Sequence, residues 1–326
     1  MKTQTTQHFD SIDLLRGLAA IVVAFFHFTD FFLPKTNLLN WASHYGYLGV
    51  EAFFVISGMV VPYSLAQRGY TLRQFGSVFL KRVIRIEPAY WASIVLMLSK
   101  DTIISLYYTG HFPGHTNWNI FLHIFHANAI CFEPWIRGIY WTLAIDWQFY
   151  LLVCLTFPLL NRREIWIRYP IYAAFCYAHF YGPYEWLPYH ITPFGAGFVL
   201  FHYYRGYIDD RELAVALPAV LLMHFRGFDY THCLATTLSC AVILFVKKVP
   251  AIGQFLGKIS YSFYLTHILT GWALLSGLSM LTDNETVMTI GVFVAIAFSF
   301  LCAHFFYNVV EKPTLKWARK VKSDKR

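Results

Sequence analysis

DSIDLLRGLAAIVVAFFHFTDFFL, Asp10 to Leu33, is an apolar stretch of membrane length that carries an arginine near its start and a histidine well inside it. Leu14 to Leu33 alone would rise about 30 Å as a helix, roughly one hydrocarbon core, so the stretch predicts a spanning helix. Arg16 and His27 fall within about 20° of each other around that helix and about 16 Å apart along it. Both side chains therefore share a face, and Gly17, Ala20 and Ala24 beside it let neighbouring groups come close. Ionisable residues inside a span are costly and mark function by default. The plainer alternative is that Arg16 snorkels to the headgroups and His27 bonds a neighbouring helix.

Working outward, the composition excludes a soluble domain: 57% of residues are hydrophobic, 19% aromatic and only 13% charged. A net charge of +8 would suit nucleic acid, but the cations sit between apolar runs, as membrane topology requires. No nucleic-acid partner is expected. The first run has full length and no small-residue cleavage site, so it reads as an anchor and not as a cleaved signal. The six cysteines are scattered, mostly within apolar runs and without a CxxC pair, and read as small core residues.

Ten apolar runs can be drawn, near 14–33, 46–65, 88–108, 140–160, 166–182, 189–204, 212–225, 231–246, 259–280 and 287–310. The third is interrupted by Lys100 and Asp101, and the sixth and seventh are short. Most of the 26 Lys and Arg residues fall on one side of such a map, including Arg68 to Arg85 and Lys312 to Arg326. The positive-inside rule then gives an all-α polytopic membrane protein of about ten spans with both termini cytoplasmic. With no repeat, linker or low-complexity tract, residues 1–326 read as one transmembrane domain without an appended soluble module.

With directions assigned, depth follows at about 1.5 Å per residue. His27 and Asp146 each lie about 9 Å below the outer surface, and Glu51 slightly higher. A carboxylate can fix the tautomer of an imidazole and raise its basicity, which a general base acting on a hydroxyl needs. A structural ion pair is the alternative. In TLRQFGSVFLKRVIRIEPAYW, Thr71 to Trp91, apolar residues recur at helical spacing while Arg73, Lys81, Arg82 and Arg85 take other faces. That pattern fits an interfacial helix gripping lipid. Arg82 and Arg85 are also one turn apart, and could clamp a phosphate at the cytoplasmic side.

In order along the chain, IDLLRGLAAIVVAFFH, GVEAFFVISG (Gly49 to Gly58), KRVIRIEP (Lys81 to Pro88), YWTLAIDWQFYLL (Tyr140 to Leu152), ISYSFYLTH (Ile259 to His267) and EKP (Glu311 to Pro313) resemble the acyltransferase family 3 membrane proteins, the O-acyltransferases of bacterial polysaccharides. The resemblance implies about ten spans in the bacterial inner membrane, a cytoplasmic acyl-CoA donor, usually acetyl-CoA, and a carbohydrate or glycolipid acceptor at the outer side. It implies that Arg82 and Arg85, with Lys81 beside them, hold CoA phosphates, that Arg16 supports the donor path, and that His27 is catalytic. Whether His27 is a base or carries the acyl group stays open. The family usually has Glu where this chain has Asp146. Some relatives carry a fused extracytoplasmic esterase-like domain; here transfer is direct or passes through a separate relay protein.

Several weaker patterns are discounted. His267 and Ser57 read as packed, hydrogen-bonded core residues. His224 with Asp229 matches an HxxxxD spacing, but on the outer side, away from CoA. His111 with His115 and His123 with His126 have zinc-like spacing without a further ligand set, so no metal is expected. The loop from Tyr107 to Tyr140 is aromatic and suits a sugar ring, with an interfacial aromatic belt as the alternative. No P-loop is present. The rival function is a secondary transporter or a flippase of lipid-linked sugar, against which no matching pair of broken helices is found.

Overall fold

Each of the ten apolar runs coincides with a helix, and no strand occurs among the described residues, 9–111 and 114–321 of a computed structural model. In order these are α1 (Asp10–Phe32), α2 (Leu38–Ser43), α3 (Gly49–Gln67), α4 (Phe75–Thr109), α5 (Asn117–Ile124), α6 (Asn128–Cys131), α7 (Tyr140–Leu160), α8 (Ile165–Tyr177), α9 (Leu187–Tyr204), α10 (Asp210–Gly227), α11 (Tyr230–Phe245), α12 (Ala251–Ser279), α13 (Glu285–Phe306) and α14 (Lys312–Lys320). Their starts follow the capping rules. Asn37, Asp209, Asp229 and Asn284 accept backbone N–H bonds at the heads of α2, α10, α11 and α13. Gly110, at φ 71°, ends α4 in the left-handed conformation that glycine allows.

By length and composition five segments can cross a membrane: Asp10–Phe32, Leu38–Gln67, Leu72–Thr109, Tyr140–Leu160 and Glu285–Lys320. The sequence predicts about ten. Ten spans are not reached by this measure, and two of the helices left out, α9 and α12, differ from the five in what surrounds them. α9 is buried without a break from His190 through His202, so it faces protein on all sides and is free to carry polar residues. α12 is 29 residues long, but Ser260, Ser262, Thr266 and His267 are turned into the bundle. Helices that touch other helices need less hydropathy than helices that touch lipid.

α4 corrects two expectations. The predicted interfacial helix and third span are one helix of 35 residues, about 52 Å long, continuous through Pro88. Around that proline the Tyr261 hydroxyl donates to the Ile86 carbonyl (3.1 Å) and Thr314 to the Arg85 carbonyl (3.3 Å), bracing a point where helical hydrogen bonding is interrupted. Lys100 and Asp101 do not break the helix, because Asp101 is ion-paired to Arg137.

Two close approaches set the frame. A Cβ at Gly197 would lie 2.0 Å from the Val55 carbonyl oxygen and one at Gly58 2.1 Å from that of Phe194, so α3 and α9 touch backbone to backbone. Likewise a Cβ at Gly257 would lie 2.3 Å from the Asp13 carbonyl oxygen, pressing α12 onto α1. α1 thus runs between α3, α12 and α13 with its small-residue face inward. Cys154, Cys176 and Cys240 are buried free thiols, as expected of core residues.

Candidate active site

α1 positions His27. Beyond it, the Asn40 side chain donates to the Thr29 carbonyl (3.0 Å), which also accepts from the Leu33 N–H, and to the Leu33 carbonyl (2.8 Å), tying down the helix end. The half-buried His27 ring stacks on His267 of α12, with centroids 5.5 Å apart and planes 29° apart. His267 is fully buried, and its Nδ1 lies 2.8 Å from the Tyr264 carbonyl. A carbonyl only accepts, so Nδ1 carries the proton and Nε2 is left as a bare acceptor, which has no hydrogen-bond partner. α12 begins at Ala251, eight residues before the predicted run, so His267 lies well inside the helix. It is both packed, as the sequence suggests, and beside His27.

Arg16 lies in a second cluster of charge. The charges acting on it most are Asp13, Asp146, Arg82 and Glu311, brought together from α1, α7, α4 and the π-helical turn Tyr307–Glu311. Arg82 is ion-paired to Asp146 and lies 4.4 Å over the Tyr150 ring. The expectation that placed Arg82 at the cytoplasmic face and Asp146 in the outer half is therefore corrected: one helix, α4, carries Arg82 well into the bundle, where the two touch. Arg85, one turn on, keeps an accessible surface and lies among protein charges that include Arg16 and Glu311. Lys81 is half-buried nearby. Glu311, from the terminal EKP, accepts a hydrogen bond from Ser262 at 2.5 Å. A cavity of about 200 Å³ opens beside Arg16 between α1 and α3, lined also by Asp13, Met59 and Tyr63.

Glu51 belongs to neither group. Its carboxylate meets His232 Nδ1 (2.7 Å) and the Thr236 hydroxyl (3.2 Å), with His224 Nε2 at 3.6 Å. His27, Asp146 and Glu51, expected at one level, thus face three different sets of neighbours. The carboxylate that acts on His27 is Asp30, three residues on, itself ion-paired to Lys35. That spacing on one helix was a readable signal.

In the loop from Tyr107 to Tyr140, His123 and His126, discounted above as a zinc pair, are buried. His123 is engaged through both ring nitrogens, Nδ1 with the Asn119 carbonyl (2.8 Å) and Nε2 with the Ile136 N–H (2.9 Å). His126 Nε2 bonds Glu87 (3.0 Å), whose other oxygen accepts from Trp147 Nε1 (2.5 Å). Glu87 was not singled out from sequence, although a carboxylate before a helical proline is unusual enough to notice. No group of residues arranged to hold a metal ion is found among the described residues.

A helical bundle with apolar spanning segments that enclose histidine, arginine and carboxylate groups is a multi-pass membrane protein. The profile of the Acyl_transf_3 acyltransferase domain matches residues 9–304, and the chain belongs to that family, which makes it an acyltransferase by membership and sets the transporter reading aside. It is 24% identical over 282 residues to ORF330 of Acidianus two-tailed virus, an acetyltransferase by name, covering 78% of this chain and 81% of that one. It is 25% identical over 178 residues to the O-acetyltransferase OatA of Staphylococcus aureus, covering 50% of this chain and 27% of OatA. Against the peptidoglycan O-acetyltransferase OatA of Listeria monocytogenes it is 29% identical over 161 residues, 44% of this chain and 23% of that one. The chain thus matches about a quarter of each of those longer proteins. No solved structure matches it.

Proposed function

We propose that the chain is an O-acetyltransferase of the bacterial inner membrane that crosses it ten times with both termini cytoplasmic. It takes an acetyl group from cytoplasmic acetyl-CoA and places it on a hydroxyl of a carbohydrate or glycolipid at the outer side, directly or through a separate relay protein. The observation that carries this reading is the single face of α1: Arg16 sits in a cluster of charge and His27 at an imidazole pair, three helical turns apart on one rod.

Arg85, with its accessible surface, and Lys81 hold the donor's phosphates. Arg82 is neutralised by Asp146. At the other end a ring nitrogen of His27 takes the proton of the acceptor hydroxyl as its oxygen attacks the thioester carbonyl. The C–S bond breaks and the proton passes to the departing thiolate. His267 contributes its bare Nε2 beside that ring, an acceptor that keeps the neighbouring imidazole or acceptor hydroxyl oriented.

Acetyl-CoA should therefore stabilise the membrane-embedded protein against heat, by about 2.7 kcal/mol at a hundredfold excess over Kd. Arg85→Ala should remove most of that shift. A thermal midpoint indifferent to acetyl-CoA in the intact chain would overturn the reading.

A further inference from the structure

Glu51 is 1% exposed, its carboxylate lies against His232 and His224, and among the described residues no arginine or lysine pairs with it, an arrangement that is expensive unless something uses it. Its Oε1 accepts from His232 Nδ1 at 2.7 Å, and its Oε2 from the Thr236 hydroxyl at 3.2 Å. A carboxylate accepts only, so His232 Nδ1 carries the proton, and in the neutral ring the opposite nitrogen, Nε2, is then the acceptor. The two nitrogens point to opposite sides of the ring. One is therefore committed to Glu51, while the side chain as a whole keeps 21% of its surface open. Behind the pair, His224 is fully buried and neither of its ring nitrogens has a hydrogen-bond partner among the described residues. It completes a polar floor that apolar packing would not retain.

The walls are aromatic. Phe228 lies against the His232 ring at 4.9 Å and 31°, nearly parallel, and Tyr47 meets the same ring edge-on at 5.9 Å. Tyr47 in turn packs on Phe26 at 5.4 Å, the residue beside His27, so this site and the His27 pair share a wall. Tyr45 and Tyr230, both largely exposed, stand at the rim. A tautomer-fixed acceptor nitrogen among flat aromatic faces matches a sugar ring, whose hydroxyls donate hydrogen bonds and whose C–H face stacks on aromatic rings.

We propose that His232, oriented by Glu51, and the aromatic wall of Tyr47 and Phe228 form the binding site for the carbohydrate acceptor, at the α10–α11 turn and the start of α3 and not in the loop from Tyr107 to Tyr140. The inference deepens the acetyltransferase reading and rests on it for the identity of the ligand. Glu51 is a positioning residue here, because it acts on the sugar through His232.

The test is binding of chitotetraose, read by tryptophan fluorescence, to the protein in lipid nanodiscs free of glycosidic detergent, with the acetyl-CoA thermal shift measured on the same samples. His232→Asn keeps a donor to Glu51 where Nδ1 was and removes the acceptor at Nε2. It should weaken chitotetraose about tenfold, the value of one hydrogen bond, while the acetyl-CoA shift stays intact. Phe228→Leu should weaken it further without altering that shift, and His232→Gln, which reaches the Nε2 position, should recover part of the loss. Chitotetraose binding unchanged in His232→Asn overturns the site, as does a loss of the acetyl-CoA shift in the same variant, which would mark His232 as structural. If the intact chain binds chitotetraose in a His232-dependent way but ignores acetyl-CoA, the site stands and the donor reading falls.

Discussion

Asp146 and Glu51 begin alike, each a carboxylate within two turns of the start of an apolar helix, and end as opposites. Asp146 meets Arg82, a guanidinium that is always charged, and the pair sits among further charges from Arg16 and Glu311. Glu51 meets His232 and His224, rings that are neutral or charged according to what they touch. The first arrangement holds a fixed charge in place; the second orients an imidazole. Depth in the membrane is therefore a poor guide to what a buried carboxylate does, and the helix across from it decides.

That contrast can be broken at several points. The largest effect is expected at Gly197→Ala, whose Cβ would meet the Val55 carbonyl oxygen at 2.0 Å and force α3 from α9. A loss of about 3 kcal/mol should follow, with Glu51 displaced together with α3 while the Arg82–Asp146 pair, held between α4 and α7, survives; thermal melting read beside the acetyl-CoA shift separates the two. Next, Asp146→Asn leaves the guanidinium of Arg82 half-buried and uncompensated. It should cost about 2 kcal/mol, and a double-mutant cycle with Arg82→Ala should show coupling of similar size. Additive single effects would mean that the ion pair is idle.

Glu51→Gln sharpens the comparison from the other side. The amide keeps the shape and can still accept from Thr236, so stability should change by no more than about 1 kcal/mol. Sugar binding should weaken about tenfold, because the tautomer of His232 is no longer fixed. Smallest of all, Thr236→Val should cost roughly 1 kcal/mol and leave transfer nearly intact. If it reduced transfer as much as Glu51→Gln does, Thr236 would share the positioning role.

Much of this architecture was legible in the chain. The ten apolar runs all fall on helices, and Arg16 and His27 do share one rod, because helical periodicity and hydropathy are local properties. Helix ends were less legible. α12 extends eight residues ahead of its apolar run and α4 swallows a predicted break, since Gln254, Lys258, Lys100 and Asp101 are accommodated by neighbours that sequence does not announce. Least legible were the partners. Glu51 is separated from His232 by 181 positions, and which face of α11 turns toward α3 is set by packing, not by either helix alone. His267 shows the same limit, for its spacing reads as a core residue and only the fold places it on His27.

The most direct measurement follows radiolabelled acetyl from acetyl-CoA into the glycan fraction of membranes containing the intact chain or His27→Ala at matched amounts. The account predicts label with the intact chain and a loss of at least about a hundredfold with His27→Ala, the least that removal of a positioned base should cost. Equal transfer by both would contradict it.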